Sequence, residues 1–206
     1  MENEKIIIIG PNNINQYKAD LANLIVSKNS DLSIMNTFIT NEAISQNNNL
    51  NSCTDYIYYI PYMKVQEAYK NSSVLYCTID EINNDITHGI MLDEYYNNDI
   101  MYLEFIDFNN ISDIIFSENN INTNNLNNNH IIIWLETLKN KNLNDFKRHE
   151  DIRESKYVYQ RMNKHNIPCL YFNIDNEHIS DISNIILNYY NEADEEKRKE
   201  IILENS

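Results

Sequence analysis

Residues 6 to 21 read IIIIGPNNINQYKADL: an apolar run, a Gly-Pro step and a stretch with helical spacing. A phosphate-binding loop begins this way, with strand, glycine and helix in that order. The working loop is G-x-x-x-x-G-K-[ST]. Its backbone N–H groups wrap the phosphates, its Lys neutralises them, and its Ser/Thr hydroxyl binds magnesium. Here Gly10 is the first glycine, while the second falls on Asn15, the Lys on Gln16 and the hydroxyl residue on Tyr17. Gln16 carries no charge, and Tyr17 is too bulky to coordinate magnesium from that position. Asn15 tolerates a left-handed backbone, so the loop shape can survive. Lys18 stands one position late and would reach a phosphate only through a one-residue slip in register. Taken alone, the stretch reads equally as a degenerate phosphate loop or as a turn followed by a helix cap.

The other chemistry-bearing residues are scattered. FKRHEDIRESKYVYQRMNKH, residues 146–165, holds Arg148, Arg153 and Arg161 of the chain's four arginines, with Lys147, Lys156 and Lys164. Arg153 and Lys156 share a helical face, as do Arg161 and Lys164. Glu150, Asp151 and Glu154 lie within a turn, and the balance of charge favours a solvated helix. Tyr157 and Tyr159 near Met162 suit a core face. Asp80/Glu81 and Asp93/Glu94 read as exposed helix-start residues, favoured by the helix dipole. His88 and His149 are isolated and read as surface or capped residues. Cys77 and Cys169 lie in apolar strand contexts and read as core.

Composition narrows the class. A chain of 206 residues suits one domain, with 42% hydrophobic residues to build its core. Roughly one residue in five is Asn. Asn, Ile, Lys and Tyr have AT-rich codons, so the bias points to the genome, bacterial or viral, and most of these asparagines read as solvated surface. The formal net charge is −15, which repels nucleic acid and anionic membranes and favours protein partners. The widely spaced Cys53, Cys77 and Cys169 make no disulfide framework or zinc site and suit a reducing compartment. No signal peptide is legible, and no apolar run is long enough to span a membrane. The expectation is a cytoplasmic or virion protein.

The elements that must position these residues follow from periodicity. Continuous apolar runs at Lys5–Gly10, Ser33–Ile39, Ile100–Ile106, Ile131–Glu136 and Cys169–Ile174 predict buried parallel strands. Tyr56–Ile60 and Val74–Thr78 predict shorter, half-exposed ones. Helices are predicted over Asn15–Lys28, Tyr62–Lys70 (after Pro61), Asn109–Phe116, Asn144–Lys164 and Ile179–Asn191. Asp194–Glu204 predicts a charged helix with Asp194/Arg198 and Glu195/Lys199 pairs. The Asn-rich stretches Gln46–Asn51, Asn119–Asn129 and Asn140–Asn144 read as loops. Alternating strands and helices predict an α/β fold with a central parallel sheet flanked by helices.

In order and along most of its length, the chain resembles guanylate kinases. IIIIGPNNINQYKADLANLI sits where that family has its strand, Gly-Pro-Ser-Gly-x-Gly-Lys-Ser and helix. LSIMNTFITNEA resembles the second strand and its Thr-Thr-Arg segment. DYIYYIPYMKVQEAYKNSSVLYC looks like the Tyr-x-Phe-Val strand, short helix and Phe-Leu-Glu strand of the nucleotide-binding subdomain. THGIMLDEYYNNDIMYLEFIDFNNI looks like Tyr-Gly-Thr, a helix and Val-Leu-Leu-Asp-Ile-Asp-Val-Gln-Gly, with Gly89 on the family glycine. IIIWLETL, DFKRHEDIRESKYVYQRM and CLYFNID are similar to the next core strand, the lid with its long helix, and the last strand.

The resemblance implies a P-loop kinase-like fold over residues 1–192, a small guanylate-kinase-like subdomain at about 40–98, and a charged C-terminal helix over 193–206. It implies a lid carrying Arg148, Arg153, Lys156 and Arg161. It implies a nucleotide cleft with Tyr58 as the phosphate-contacting tyrosine, Tyr76 in place of the base-recognising Glu, His88 and Ile90 around Gly89, and Asp107 as the acidic turn residue. The acceptor arginines after the second strand have no counterpart, since no Arg precedes Arg148. Phosphoryl transfer is mostly positioning and charge neutralisation, and the residues that supply both are replaced. The expectation is a non-catalytic kinase frame, without cofactor or metal, that acts as a structural or protein-interaction module. An AT-rich phage particle, in a tail or connector ring, is its most concrete setting. The alternative is a divergent nucleoside monophosphate kinase using ATP, magnesium, Lys18 and the basic lid. A third reading is a nucleotide sensor without turnover.

Overall fold

A computed structural model of the chain describes residues 4–10, 14–40, 56–79, 86–102, 130–137 and 168–205. The structure is α/β. Its central sheet is four-stranded and parallel, in the order β6-β1-β7-β8. The strands are β1 (Lys5–Ile9), β6 (Ile100–Tyr102), β7 (His130–Glu136) and β8 (Cys169–Asn173). Every residue of β1 is buried. A parallel strand covered on both faces needs such an unbroken apolar run. A parallel bridge from Ile34 to Ile100 lays residues 33–35 along the outer side of β6.

The pleat sorts β1 onto two cores. Ile6 and Ile8 join Leu21, Ala22 and Ile25 of α1 (Asn15–Lys28) and Ile182, Ile186 and Tyr189 of α4 (Ile179–Asn191). Lys28 ties these helices together, donating to Ser183 Oγ at 2.5 Å and Asn184 Oδ1 at 2.7 Å. Ile7 and Ile9 join Met35, Tyr76, Ile90, Tyr95 and Trp134 on the opposite face.

A second sheet lies on that opposite face, ordered β3-β2-β5-β4. It comprises β2 (Thr37–Ile39), β3 (Ile57–Tyr59), β4 (Val74–Ile79) and β5 (Ile86–Met91). Strands β2 and β3 are parallel, and the other pairs are antiparallel. Helices α2 (Tyr62–Lys70) and α3 (Leu92–Asn97) flank it. The structure is thus the α/β fold with a central parallel sheet flanked by helices that the sequence predicts.

Several expectations need correction. The apolar run Ser33–Ile39 is not one strand: Ile34 belongs with the central sheet and Thr37–Ile39 with the second. The break falls at Asn36, whose backbone N–H and side-chain amide both turn to Glu94 Oε2. Strand β5 has no counterpart among the expected strands. Thr87, His88 and Gly89 interrupt its apolar pattern, and glycine weakens a strand read from sequence. Its antiparallel neighbours β2 and β4 supply what local sequence does not. The last helix, α5 (Glu195–Glu204), starts one residue later than expected, because Asp194 is its N-cap and accepts from Glu196 N at 3.0 Å. Arg198 therefore pairs with Glu4 rather than Asp194, and Lys199 with Glu196 at 2.7 Å. The expected helices Asn109–Phe116 and Asn144–Lys164 and the latter part of Ile100–Ile106 lie outside the described residues.

Candidate functional site

In open α/β sheets, ligands bind beyond the carboxyl ends of the strands. Here that edge carries Gly10 after β1, Glu136 and Thr137 at the end of β7, and Asn173, Asp175 and Glu177 after β8. Helix α1 starts beside it.

Gly10 lies against its neighbours: a Cβ there would stand 2.9 Å from Ile14 Cδ1 and 2.9 Å from the Leu135 carbonyl oxygen. Its φ is not positive, so close approach rather than a left-handed turn accounts for it. Asn15 is the first residue of α1 and is helical. The expected left-handed backbone is not there; the non-glycine residue with positive φ among those described is Ser72. Gln16 is exposed and donates to Asp20 Oδ1 at 2.7 Å, along its own helix.

Tyr17 packs its ring against the central core. Its hydroxyl is buried and makes no hydrogen bond among the described residues. Burial, then the charge of Glu177, pushes its pKa up to about 12. Lys18 is fully buried, and among its contacts Nζ donates to the Gly10 carbonyl at 3.3 Å. Its side chain lies inside the protein, behind the end of β1.

Two carboxylates of the edge, Asp175 and Glu177, are held in place. Thr137 Oγ1 donates to Asp175 Oδ1 at 2.8 Å. The Asp175 amide donates to Asn173 Oδ1 at 3.0 Å, and the Asn173 amide to Glu177 Oε1 at 3.0 Å. Glu136, Asp175 and Glu177 thus give the described edge negative charge where a phosphate loop needs positive. Residue types alone did not single these out. Their placement directly after the apolar runs of β7 and β8 was the available signal.

The expected cleft residues fall in the second sheet. Tyr58 is half-buried on β3, opposite Phe38. Burial first, then Glu94 and Asp93, push its hydroxyl up to about 12. Tyr76 is buried in the core between the two sheets, with Ile9, Ile90 and Trp134, so it fills space rather than lining an opening. His88 sits edge-on to it, ring centroids 6.4 Å apart. His88, expected to be a surface or capped residue, is half-buried, and desolvation lowers its pKa to about 4. Gly89 is a packing position, since a Cβ there would stand 2.1 Å from the Tyr76 carbonyl oxygen. Tyr58, Tyr76, His88 and Gly89 therefore come together on one sheet. Asp107 and the expected lid residues Arg148, Arg153, Lys156 and Arg161, with His149, lie outside the described residues.

Cys169 is buried, as expected, and its thiol is pushed up to about 12 by desolvation; Cys77 is half-buried and raised for the same reason. Asp93 is exposed as expected. Glu94 is not: it is half-buried and accepts from Asn36 and Asn98. Sequence reading missed that role, because its partners lie far along the chain.

No protein-family model and no curated protein matches the sequence. Among solved structures, the chain is similar to the crystal structure of guanylate kinase from Anaplasma phagocytophilum, at 11% identity and a TM-score of 0.46, over 90% of this chain and 83% of that one.

Proposed function

We propose that this chain is a P-loop kinase-like frame that does not transfer phosphate and serves as a structural or protein-interaction module. The observation that carries the reading is the position of Lys18. Its side chain is buried, and among its contacts Nζ donates to the Gly10 carbonyl. The strand ends above it present Glu136, Asp175 and Glu177. A triphosphate brought there would meet carboxylates without a compensating charge from the described residues.

The kinase alternative needs Lys18 at a phosphate, which would mean drawing a buried side chain out of the core. The abundance of Asn and Ile supports the finer reading of a phage-particle component, such as a tail or connector ring. Fifteen tyrosines suit protein interfaces, where Tyr is enriched. The partner is then another protein or further copies of the chain.

The test is a thermal-shift scan with Mg-ATP, GTP, GMP and dTMP beside light scattering. The expected result is no shift with any nucleotide and a defined oligomer or complex. A saturable stabilisation by a triphosphate overturns the reading, because a ligand that binds only the folded state must raise the melting temperature.

A further inference from the structure

Two packed bodies joined by short crossings move relative to one another by default, unless the joint is tied. Among the described residues, the chain leaves the central sheet between Met35 and Thr37 and returns between Asn97 and Ile100. These two crossings are where hinge residues would sit. They are tied to each other.

Glu94 Oε2 accepts from Asn36 N at 3.0 Å, Asn36 Nδ2 at 3.1 Å and Asn98 Nδ2 at 2.9 Å. One carboxylate oxygen on α3 thus holds both crossings. Asp99 Oδ2 accepts from Ser33 N at 3.0 Å and Ser33 Oγ at 3.1 Å. Asp99 N and Ile100 N donate to Ser33 O and Met35 N to Ile100 O, which anchors the central-sheet side of both crossings. Beside them, Tyr95 of α3 hydrogen-bonds His130 Nε2 of β7 at 2.8 Å, and Lys5 of β1 donates to Asn98 O at 2.8 Å. Behind the polar ties lies a shared apolar core: Ile7, Ile9, Ile132 and Trp134 from the central sheet against Tyr76 and Ile90 from the second.

We propose that Glu94, with Tyr95 beside it, locks the two crossings into a fixed joint, so that the second sheet is a rigid shelf on the central sheet and does not swing. Glu94 is a positioning residue here and touches no ligand. A charged acceptor shared by three donors resists loss more than neutral hydrogen bonds do, and a swing about Asn36 and Asn98 would have to break the Glu94 bonds and the Tyr95–His130 bond together. The inference goes beyond the non-catalytic reading and stands without it.

The test places spin labels on noncanonical amino acids at Lys70, on the shelf, and Asn191, on the central body, both exposed. The native cysteines stay untouched. Distance distributions are read for the full chain. The wild type is expected to give one distance, unchanged by millimolar Mg-ATP or GMP. Glu94→Ala is expected to add a second population of roughly 10% or more, the top of the usual range for a minor state. Glu94→Gln keeps an acceptor oxygen and is expected to restore the single distance. Two distances in the wild type overturn the proposal, as does an unchanged distribution in folded Glu94→Ala. If Glu94→Ala does not fold, Tyr95→Phe removes the bond to His130 of β7 and must broaden the distribution. Nucleotide binding without a distance change would sink the non-catalytic reading and leave the fixed joint standing.

Discussion

Substituting Gly89 by Ala should be among the most damaging single-methyl changes in the described structure. The added methyl would stand 2.1 Å from the Tyr76 carbonyl oxygen, 2.8 Å from Phe38 Cζ and 2.9 Å from Cys77 Cα. Ordinary contact begins at 3.4 Å, so the β4 backbone must retreat by more than an ångström. That backbone is paired to β5 at Tyr76↔Ile90, Cys77↔Gly89 and Thr78↔His88. Retreat there loses roughly two ladder hydrogen bonds, at about 0.5–1.5 kcal/mol each. Overpacking adds about 1–3 kcal/mol. The total is roughly 2–6 kcal/mol, against a typical whole-domain stability of about 5–15 kcal/mol. For a chain of this size the melting temperature falls by about 2–4 °C per kcal/mol, so the loss is roughly 5–20 °C.

Gly10→Ala is the internal comparison. One of its 2.9 Å contacts is the tip of the Ile14 side chain, which can turn away; the other is the Leu135 carbonyl oxygen, which must shift, but by less than the 2.1 Å approach at Gly89 demands. Reduced unfolded-state entropy offsets about 0.4–1 kcal/mol. Its expected cost is about 0–2 kcal/mol. Urea titrations of both variants, followed by circular dichroism, measure the difference. If Gly89→Ala costs no more than Gly10→Ala, the close approach of β4 to β5 is not what requires the glycine, and the reading of Gly89 as a packing position fails.

Restoring the motif should not restore the site. Gln16→Lys with Tyr17→Ser is expected to give no Mg-ATP binding by calorimetry, because the carboxylates at the strand ends remain; millimolar or tighter binding would refute that. His88 gives a pH signature. Its pKa is lowered in the fold to about 4 from 6.5, so the unfolded chain binds the proton more readily and stability falls as pH drops from about 6.5 toward 4. Urea midpoints across that range should show the slope, and His88→Gln should flatten it. Arg198 pairs with Glu4, donates to the Tyr189 carbonyl at 3.2 Å and lies 4.5 Å from the Tyr189 ring centroid. Arg198→Ala should cost about 1–2 kcal/mol and speed amide exchange in α5; unchanged exchange would mean that Ile201, Ile202 and the Tyr171 N–Asn205 O bond hold that helix without it.

Much of the architecture was legible along the chain. Strands β1, β7 and β8 are unbroken apolar runs, because parallel strands buried on both faces admit little else. Helices α1, α2 and α4 fall where periodicity and Pro61 placed them. The absence of the motif Lys and Ser/Thr is also a property of sequence alone. Three things were decided only by tertiary structure. Ser33–Ile39 looks uniform, yet it splits between two sheets because Glu94, far along the chain, captures Asn36. Strand β5 exists because two antiparallel neighbours accept it despite its glycine. Lys18 could be read as reaching outward or inward, since one-dimensional spacing gives a side chain's helical face but not what lies beneath it. Packing against the end of β1 turned it inward, onto Gly10, and with it the charge that a phosphate would need.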